Sequence, residues 1–268
     1  MLQIQENIQL VPEAGLSEYE INAEGPVEIT FDAYARSDIF VRIRNAAEIR
    51  ITGNVHEYAE VTVLYWNESG TEVVFDENYD VQENAVLKIA YGEVFQGNTR
   101  RNSSVLLNGR QAQATVSSAV LTQAEKTFQL NVESCVPDTI GLMNNYSVVL
   151  NGGKYRMDAT GVIRKGAHRS ESHQTSRSLC FDPKMNSQII PKLIIDDNDV
   201  KASHAASVGR VDEEQLYYMQ SRGLTEQQCT ALISTGYLMP IVNTIENDEL
   251  KEKLREELEG KIAELCSM

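Results

Sequence analysis

The sequence is short of positive charge: 24 Lys and Arg face 39 Asp and Glu across 268 residues, for a net charge of −15. A phosphate-binding face needs clustered cations, and the basic residues between Arg164 and Arg177 are scattered, so nucleic-acid binding is excluded. A basic protein partner or a metal ion suits this charge better than an acidic surface does. No run of about 18 apolar residues occurs, which argues against a helical membrane span. MLQIQENIQLVPEAG has neither the basic start nor the apolar stretch of a signal peptide. A soluble, cytoplasmic chain is therefore expected.

Cysteine is also sparse. Cys135, Cys180, Cys229 and Cys266 stand far apart with no CxxC pair, which argues for reduced, mostly buried thiols and against a sequence-local zinc site. GxxxxGK[ST], a GxGxxG following a strand, GxSxG and HExxH are all missing. No nucleotide site is expected in this chain, and none of the chemistries behind those motifs.

What is present is a grammar of short strands. Residues 1–25 are polar and acidic and are expected as an extended lead-in. From Val27 onward VEITF, IFVRIR, AEIRITG, AEVTVLYW, TEVVF and AVLKIAY alternate apolar and polar positions, with Gly, Asn or Asp between them. The alternation puts Ile49, Ile51, Val61 and Val63 inward, with Arg50 and Thr62 outward. Strands recur for some 170 residues without long helices, which fits a sandwich, a barrel or a solenoid. Tight hairpin signals are few, at Asn108-Gly109 and Asn151-Gly152, and this tilts the reading toward a solenoid whose coils turn by bends. Pro191 in IIPKLII points to an edge or a corner.

After about His204 the periodicity becomes helical. Asp212 and the acids that follow, with Gly223 beyond, bound a helix over 212–222. Thr225 and Gln228 form a capping-box pattern opening a helix over 225–235, with Gly236 as its stop. Cys229, Leu232 and Ile233 are expected on its buried face. A third helix over 245–265 carries Leu250, Leu254, Leu258, Ile262 and Leu265 in one stripe and is expected to pack on the first two. Cys266 falls at the fraying end.

The junction between the two regimes holds His168, His173, Cys180 and His204. Imidazole and thiolate suit iron, zinc or an iron–sulfur cluster, although these residues can equally be polar positions on a solvated strand face. In a solenoid with coils of roughly 17 to 20 residues, His168, Met185 and His204 would stack along one edge.

HQTSRSLCFDPKMNSQIIPKLIIDDNDVKASHAASVG, followed by DEEQLYYMQSRGLTEQQCTALISTGYL, resembles the core of the SufB/SufD family, the scaffold proteins of the SUF iron–sulfur cluster assembly system. The likeness is clear from about Tyr155 to Leu238. It implies a mainly β fold: a right-handed parallel β-helix over 26–206, followed by a small helical domain over 207–268. It implies docking of that domain on the SufC-type ABC ATPase, to which any ATP hydrolysis would belong, and association of two β-helices near their last coils. It further implies a non-enzymatic role. His204 in KASHAASVG matches the family histidine implicated in holding a nascent, transient cluster at that interface. The SufB branch places a cysteine and an acid where this chain has Met185 and Ala205, so at these positions the chain resembles the SufD branch. Cys180 is the nearest thiol, but its odd offset from Met185 turns it to the opposite, inward strand face. Without the long helical amino-terminal extension of larger members, a compact form is expected, working as a homodimer, with a heterodimer of related scaffolds as the other arrangement. Two readings follow: a scaffold that holds the cluster, or a SufD-like structural partner that orients the ATPase and holds none. An enzyme on a β-helix would need a carboxylate groove, which the matched junction argues against.

Overall fold

The structure, a computed structural model, describes residues 1–268 apart from Asp182, Pro183, Met185, Glu246, Met268 and the side chains of Cys266 and Ser267. In chain order the strands are β1 (Leu2–Ile4), β2 (Ile8–Leu10), β3 (Gly15–Asn22), β4 (Val27–Ala33), β5 (Ser37–Asn45), β6 (Glu48–Val55), β7 (Glu60–Asn67), β8 (Val73–Val81), β9 (Val86–Glu93), β10 (Thr99–Leu107), β11 (Gln113–Thr122), β12 (Glu125–Ser134), β13 (Ile140–Val149), β14 (Lys154–Ile163), β15 (Glu171–Cys180), β16 (Ser187–Ile195) and β17 (Lys201–Arg210). Odd-numbered strands form a nine-stranded sheet and even-numbered strands an eight-stranded one, each in sequence order. Every ladder is parallel, so the chain is a β-solenoid with two strands per coil. The acidic stretch expected as a lead-in is extended and already paired: Leu2–Ile4 aligns with Tyr19–Ile21, and Ile8–Leu10 with Ile29–Phe31.

Two strands per coil overturn the expected coil length. Asn45 bonds the carbonyl of Ala23, 22 residues away, whereas Asn145 reaches Ser176 over 31 residues. The coils turn without hairpins, and the device is a left-handed residue at one turn position: Tyr58, Asn84, Gln111, Asp138 and Arg169 all have φ between 57° and 65°. Backbone bonds to the next coil hold this conformation, as in Tyr58 N–H to the Glu83 carbonyl (3.0 Å), Asn84 to Arg110 (3.0 Å) and Asp138 to His168 (3.0 Å). Asn108-Gly109 makes no hairpin. A Cβ on Gly109 would lie 1.9 Å from the Glu83 nitrogen, so glycine there serves the close passage of neighbouring coils.

The space between the sheets is the main core. Ile49 and Ile51 point into it, as do Val61 and Val63, while Arg50 is exposed. Thr62, expected to face solvent, is buried. Further along that outer face Phe40, Leu64, Trp66, Ala90 and Leu121 build a second core with the carboxyl-terminal helices. These helices are α1 (Glu213–Ser221), α2 (Glu226–Leu238) and α3 (Asp248–Ser267), with a 3₁₀ turn (Met239–Thr244) before α3. The Asp212 side chain accepts from Glu214 N–H, and Thr225 and Gln228 close a capping box. Gly236 does not stop α2, which continues to Leu238, and Pro240 instead opens the 3₁₀ turn. Cys229 is buried, yet Leu232 is 59% exposed. The α3 stripe is buried as expected, but against the solenoid as well as α2; α1 has no buried residue. Arg42, 3% exposed, clamps α3 by two 3.0 Å bonds to the Glu257 carboxylate and also pairs with Glu68.

Midway along the lumen lies a fully buried charge cluster. Arg101 pairs with Glu77 and, at 3.2 Å, with Glu93, and Lys126 reaches Glu93 at 3.0 Å. The Arg101 guanidinium stacks 3.6 Å from the Phe75 ring centroid and 4.0 Å from that of Tyr91. Tyr91 donates to Glu77 at 2.5 Å and Asn67 to Glu93 at 2.9 Å. Burial pushes the Glu77 carboxyl up. Burial acts the same way on Glu93, but Lys126 and Arg101 outweigh it and hold that carboxyl below its ordinary value. Two buried carboxylates and two buried cations balance, so removing one cation strands a negative charge. Arg101→Ala should lower the unfolding free energy by about 3–5 kcal/mol, read by urea denaturation. Leu258→Ala, which empties the second core, should cost about 2–5 kcal/mol.

Candidate functional site

The last coil is the open end of the solenoid. β16 and β17 are the outermost strands of their sheets, and β17 is a ten-residue strand exposed along nearly its whole length. A long uncovered edge of unpaired N–H and C=O groups is a template for another chain. Pro191 sits in β16, the edge strand of its sheet, where its missing N–H costs no ladder bond to a further strand.

His204 stands on this end. It pairs in register with Gln174, and Cys180 pairs with Arg210. Gln174 and the other even-numbered residues of β15 are buried, so by alternation His204 rises from the lumen side of β17 above Gln174. Ala202, Ala206 and Val208 share that side, opposite the half-buried Ile189, Pro191, Leu193 and Ile195 of β16. Beneath them the lumen turns polar. Ser118 donates to Asn145 at 2.8 Å, Asn145 to Ser176 at 3.2 Å, and Ser147 to Ser178 at 2.8 Å. The Gln174 Nε2 crosses the lumen to the Lys192 carbonyl at 2.8 Å. It passes Gly161, where a Cβ would lie 2.3 Å from Ser172 Oγ and 2.9 Å from that Nε2.

The expected histidine stack does not form. With 30 residues separating neighbours on β15 and β17, as for His173 and Ser203, the residue under His204 is Gln174. His168 lies exposed in the turn before β15. His173, on the outer face, holds Ser203 Oγ through Nδ1 at 2.8 Å and faces Glu171 through Nε2 at 3.4 Å. Met185 lies outside the described residues, as does the Cys266 side chain. Cys180 is 1% exposed in the lumenal core. Six strand positions separate it from the residue beneath His204, roughly 20 Å, so thiol and imidazole are not brought together. Ala205 pairs with Thr175 on the outer side. Among the described residues no three His, Cys, Asp or Glu side chains are placed to hold a metal ion. Gln174 and Gly161 went unremarked in the sequence; a period near 30, counted back from His204, would have singled out Gln174.

The helices offer a separate surface. Tyr217 of α1 is 75% exposed, Tyr218 59% and Leu232 of α2 59%. No helix among the described residues is long and apolar enough to cross a membrane.

The tight packing at Gly161 is testable. Gly161→Ala should destabilise the chain by about 1–3 kcal/mol and disturb the Gln174–Lys192 bond, read by thermal melting and backbone amide shifts.

Comparison with known proteins identifies the family. Residues 23–237 match the family model described as "SUF system FeS cluster assembly, SufBD core domain". The iron–sulfur cluster assembly protein SufD of Bacillus subtilis is 31% identical over 175 residues, covering 65% of this chain and 40% of that protein. SufB of the same organism is 27% identical over 190 residues, covering 68% and 40%. SufD of Escherichia coli is 26% identical over 159 residues, covering 58% and 37%. The chain thus spans about two fifths of the length of these relatives. A match over most of the solenoid and into α2 makes this chain a member of the SufBD core family.

Proposed function

We propose that this chain is a scaffold component of SUF-type iron–sulfur cluster assembly, and that it holds a nascent cluster, as cargo, where its open last coil meets a second scaffold chain. The observation that carries this reading is the single imidazole of His204 on the lumen side of a long uncovered edge. One histidine per chain supplies one ligand. A twofold contact through β17 would bring two copies together, because an isologous interface repeats the same patch. The half-buried Ile189, Leu193 and Ile195 give that contact an apolar centre. A heterodimer with a related scaffold would use the same edge.

The partner that supplies motion is a SufC-type ABC ATPase docked on α1 and α2. Exposed tyrosines are favoured interface anchors, and Tyr217, Tyr218 and Leu232 supply that surface. The clamp between Arg42 and Glu257 and the shared second core tie the helices to the solenoid, so that force on them reaches the coils. We place the working complex in the cytoplasm.

A second reading has its own support. Cys180 is locked in the core and residue 205 is alanine, so neither Cys180 nor position 205 puts a thiol or an acid beside His204. Under that reading it is a SufD-like structural partner that orients the ATPase and carries no cluster.

Anaerobic reconstitution with iron and sulfide separates the two. The scaffold reading expects visible charge-transfer absorbance and bound iron in wild type, loss of both in His204→Ala, and retention in Cys180→Ser. Wild type without iron would leave the structural reading. In parallel, Tyr217→Ser with Leu232→Ser should weaken capture of a SufC-type ATPase at least tenfold, as losing central interface anchors does; unchanged capture would remove α1 and α2 as the docking surface.

A further inference from the structure

We propose that Gln174 is the positioning residue for His204: its Oε1, unpartnered in the structure, takes the ring N–H when the imidazole turns onto the lumen side, which leaves the other ring nitrogen, with its lone pair, for iron. This rests on the reading of His204 as a cluster ligand and extends it to a residue that makes no contact with the cargo.

Gln174 is 2% exposed, and its Oε1 is buried without a hydrogen-bond partner. A buried acceptor left unpaired costs free energy, so its persistence needs a reason. The orientation of the amide is settled chemically. Lys192 O, 2.8 Å from Nε2, can only accept, so the NH₂ must face it and the oxygen must point elsewhere. Gly161 leaves the room that this crossing needs, since a Cβ there would sit 2.9 Å from Nε2. The side chain is thus held at both ends, by its strand and by the carbonyl of the opposite sheet. One rung further, about 4.8 Å along the ladder, stands His204 on the same lumen side. The rungs below place Met143 and Val116 in the same column, and neither offers a strong acceptor.

An imidazole that binds a metal through one nitrogen commonly donates its other N–H to a fixed oxygen, which sets tautomer and ring orientation. Gln174 Oε1 supplies such an oxygen, neutral and buried, to a ring that is otherwise exposed at the end of the solenoid. His173 cannot take the same part. It lies on the outer face, and its two nitrogens are engaged by Ser203 and Glu171.

The test uses the full chain, labelled with ¹⁵N-histidine and free of cluster, with the His204 resonances assigned by their loss in His204→Ala. Long-range ¹H–¹⁵N spectra read which ring nitrogen carries the proton. Wild type should show one tautomer. Gln174→Met, similar in length but without an acceptor, should show both, while Gln174→Glu, whose protonated carboxyl donates to the Lys192 carbonyl and still presents an acceptor, should restore one. In anaerobic reconstitution Gln174→Met should hold iron at least tenfold more weakly, the usual cost of removing such an orienting group, with Gln174→Glu nearer wild type. An unchanged tautomer in Gln174→Met would overturn the proposal whatever the iron result. Iron held fully in His204→Ala would overturn the ligand reading instead, and the tautomer spectra would still decide whether Gln174 orients the ring.

Discussion

The parallel, in-register ladder is the constraint on which everything else depends. Each coil lies on the one before it, so a side chain's place is set by its partner one coil earlier. Val116, Met143, Gln174 and His204 make one such column, and Ser118, Asn145, Ser176 and Ala206 another. Because the register is kept from β7 onward, the columns run unbroken to the open end. A ladder of this kind leaves the outer edge of its last strand unpaired, and here that strand is ten residues long and uncovered. The chemistry of the site and its location at an edge therefore have one cause.

The lumen is graded along the same axis. Its amino-terminal half is aliphatic and aromatic, its middle holds the balanced cluster of Glu77, Glu93, Arg101 and Lys126, and its last coils carry serine, asparagine and glutamine. The charges lie where burial is complete and each has partners. The neutral polar residues lie where the lumen opens, and hydroxyls and amides can be satisfied by one another at little cost. On the outer face of the odd-numbered sheet a second apolar core anchors α2 and α3, which makes helices and coils one mechanical unit.

Much of this was legible in the sequence. Alternation placed Ile49, Ile51, Val61 and Val63 inward, the scarcity of hairpin signals favoured a solenoid, and Thr225 with Gln228 marked the start of α2. The coil length was not legible, because the turns rely on left-handed Tyr58, Gln111 and Arg169, residues with no turn signature, stabilised by bonds to the next coil. A coil of roughly 17 to 20 residues would put Met185 beneath His204 and His168 one coil further down, whereas the ladder pairs His204 with Gln174. The covered outer face was half visible: in AEVTVLYW, Leu64 and Trp66 break the polar alternation, and only the structure shows the helices that bury them. Arg101 and Lys126 look like surface residues in sequence, since nothing local reveals that Glu77 and Glu93 meet them inside.

The claim at the centre of the account is that the open coil is where two scaffold chains meet. It is tested by placing a single cysteine on the chain, in a background carrying Cys135→Ser and Cys266→Ser, and oxidising it. The substitution Ala206→Cys, beside His204 on the last coil, should give a covalent dimer, whereas Thr30→Cys in β4, near the other end of the solenoid, should not. A chain that sediments as a monomer and cross-links at neither position, or one that cross-links only at residue 30, would contradict it.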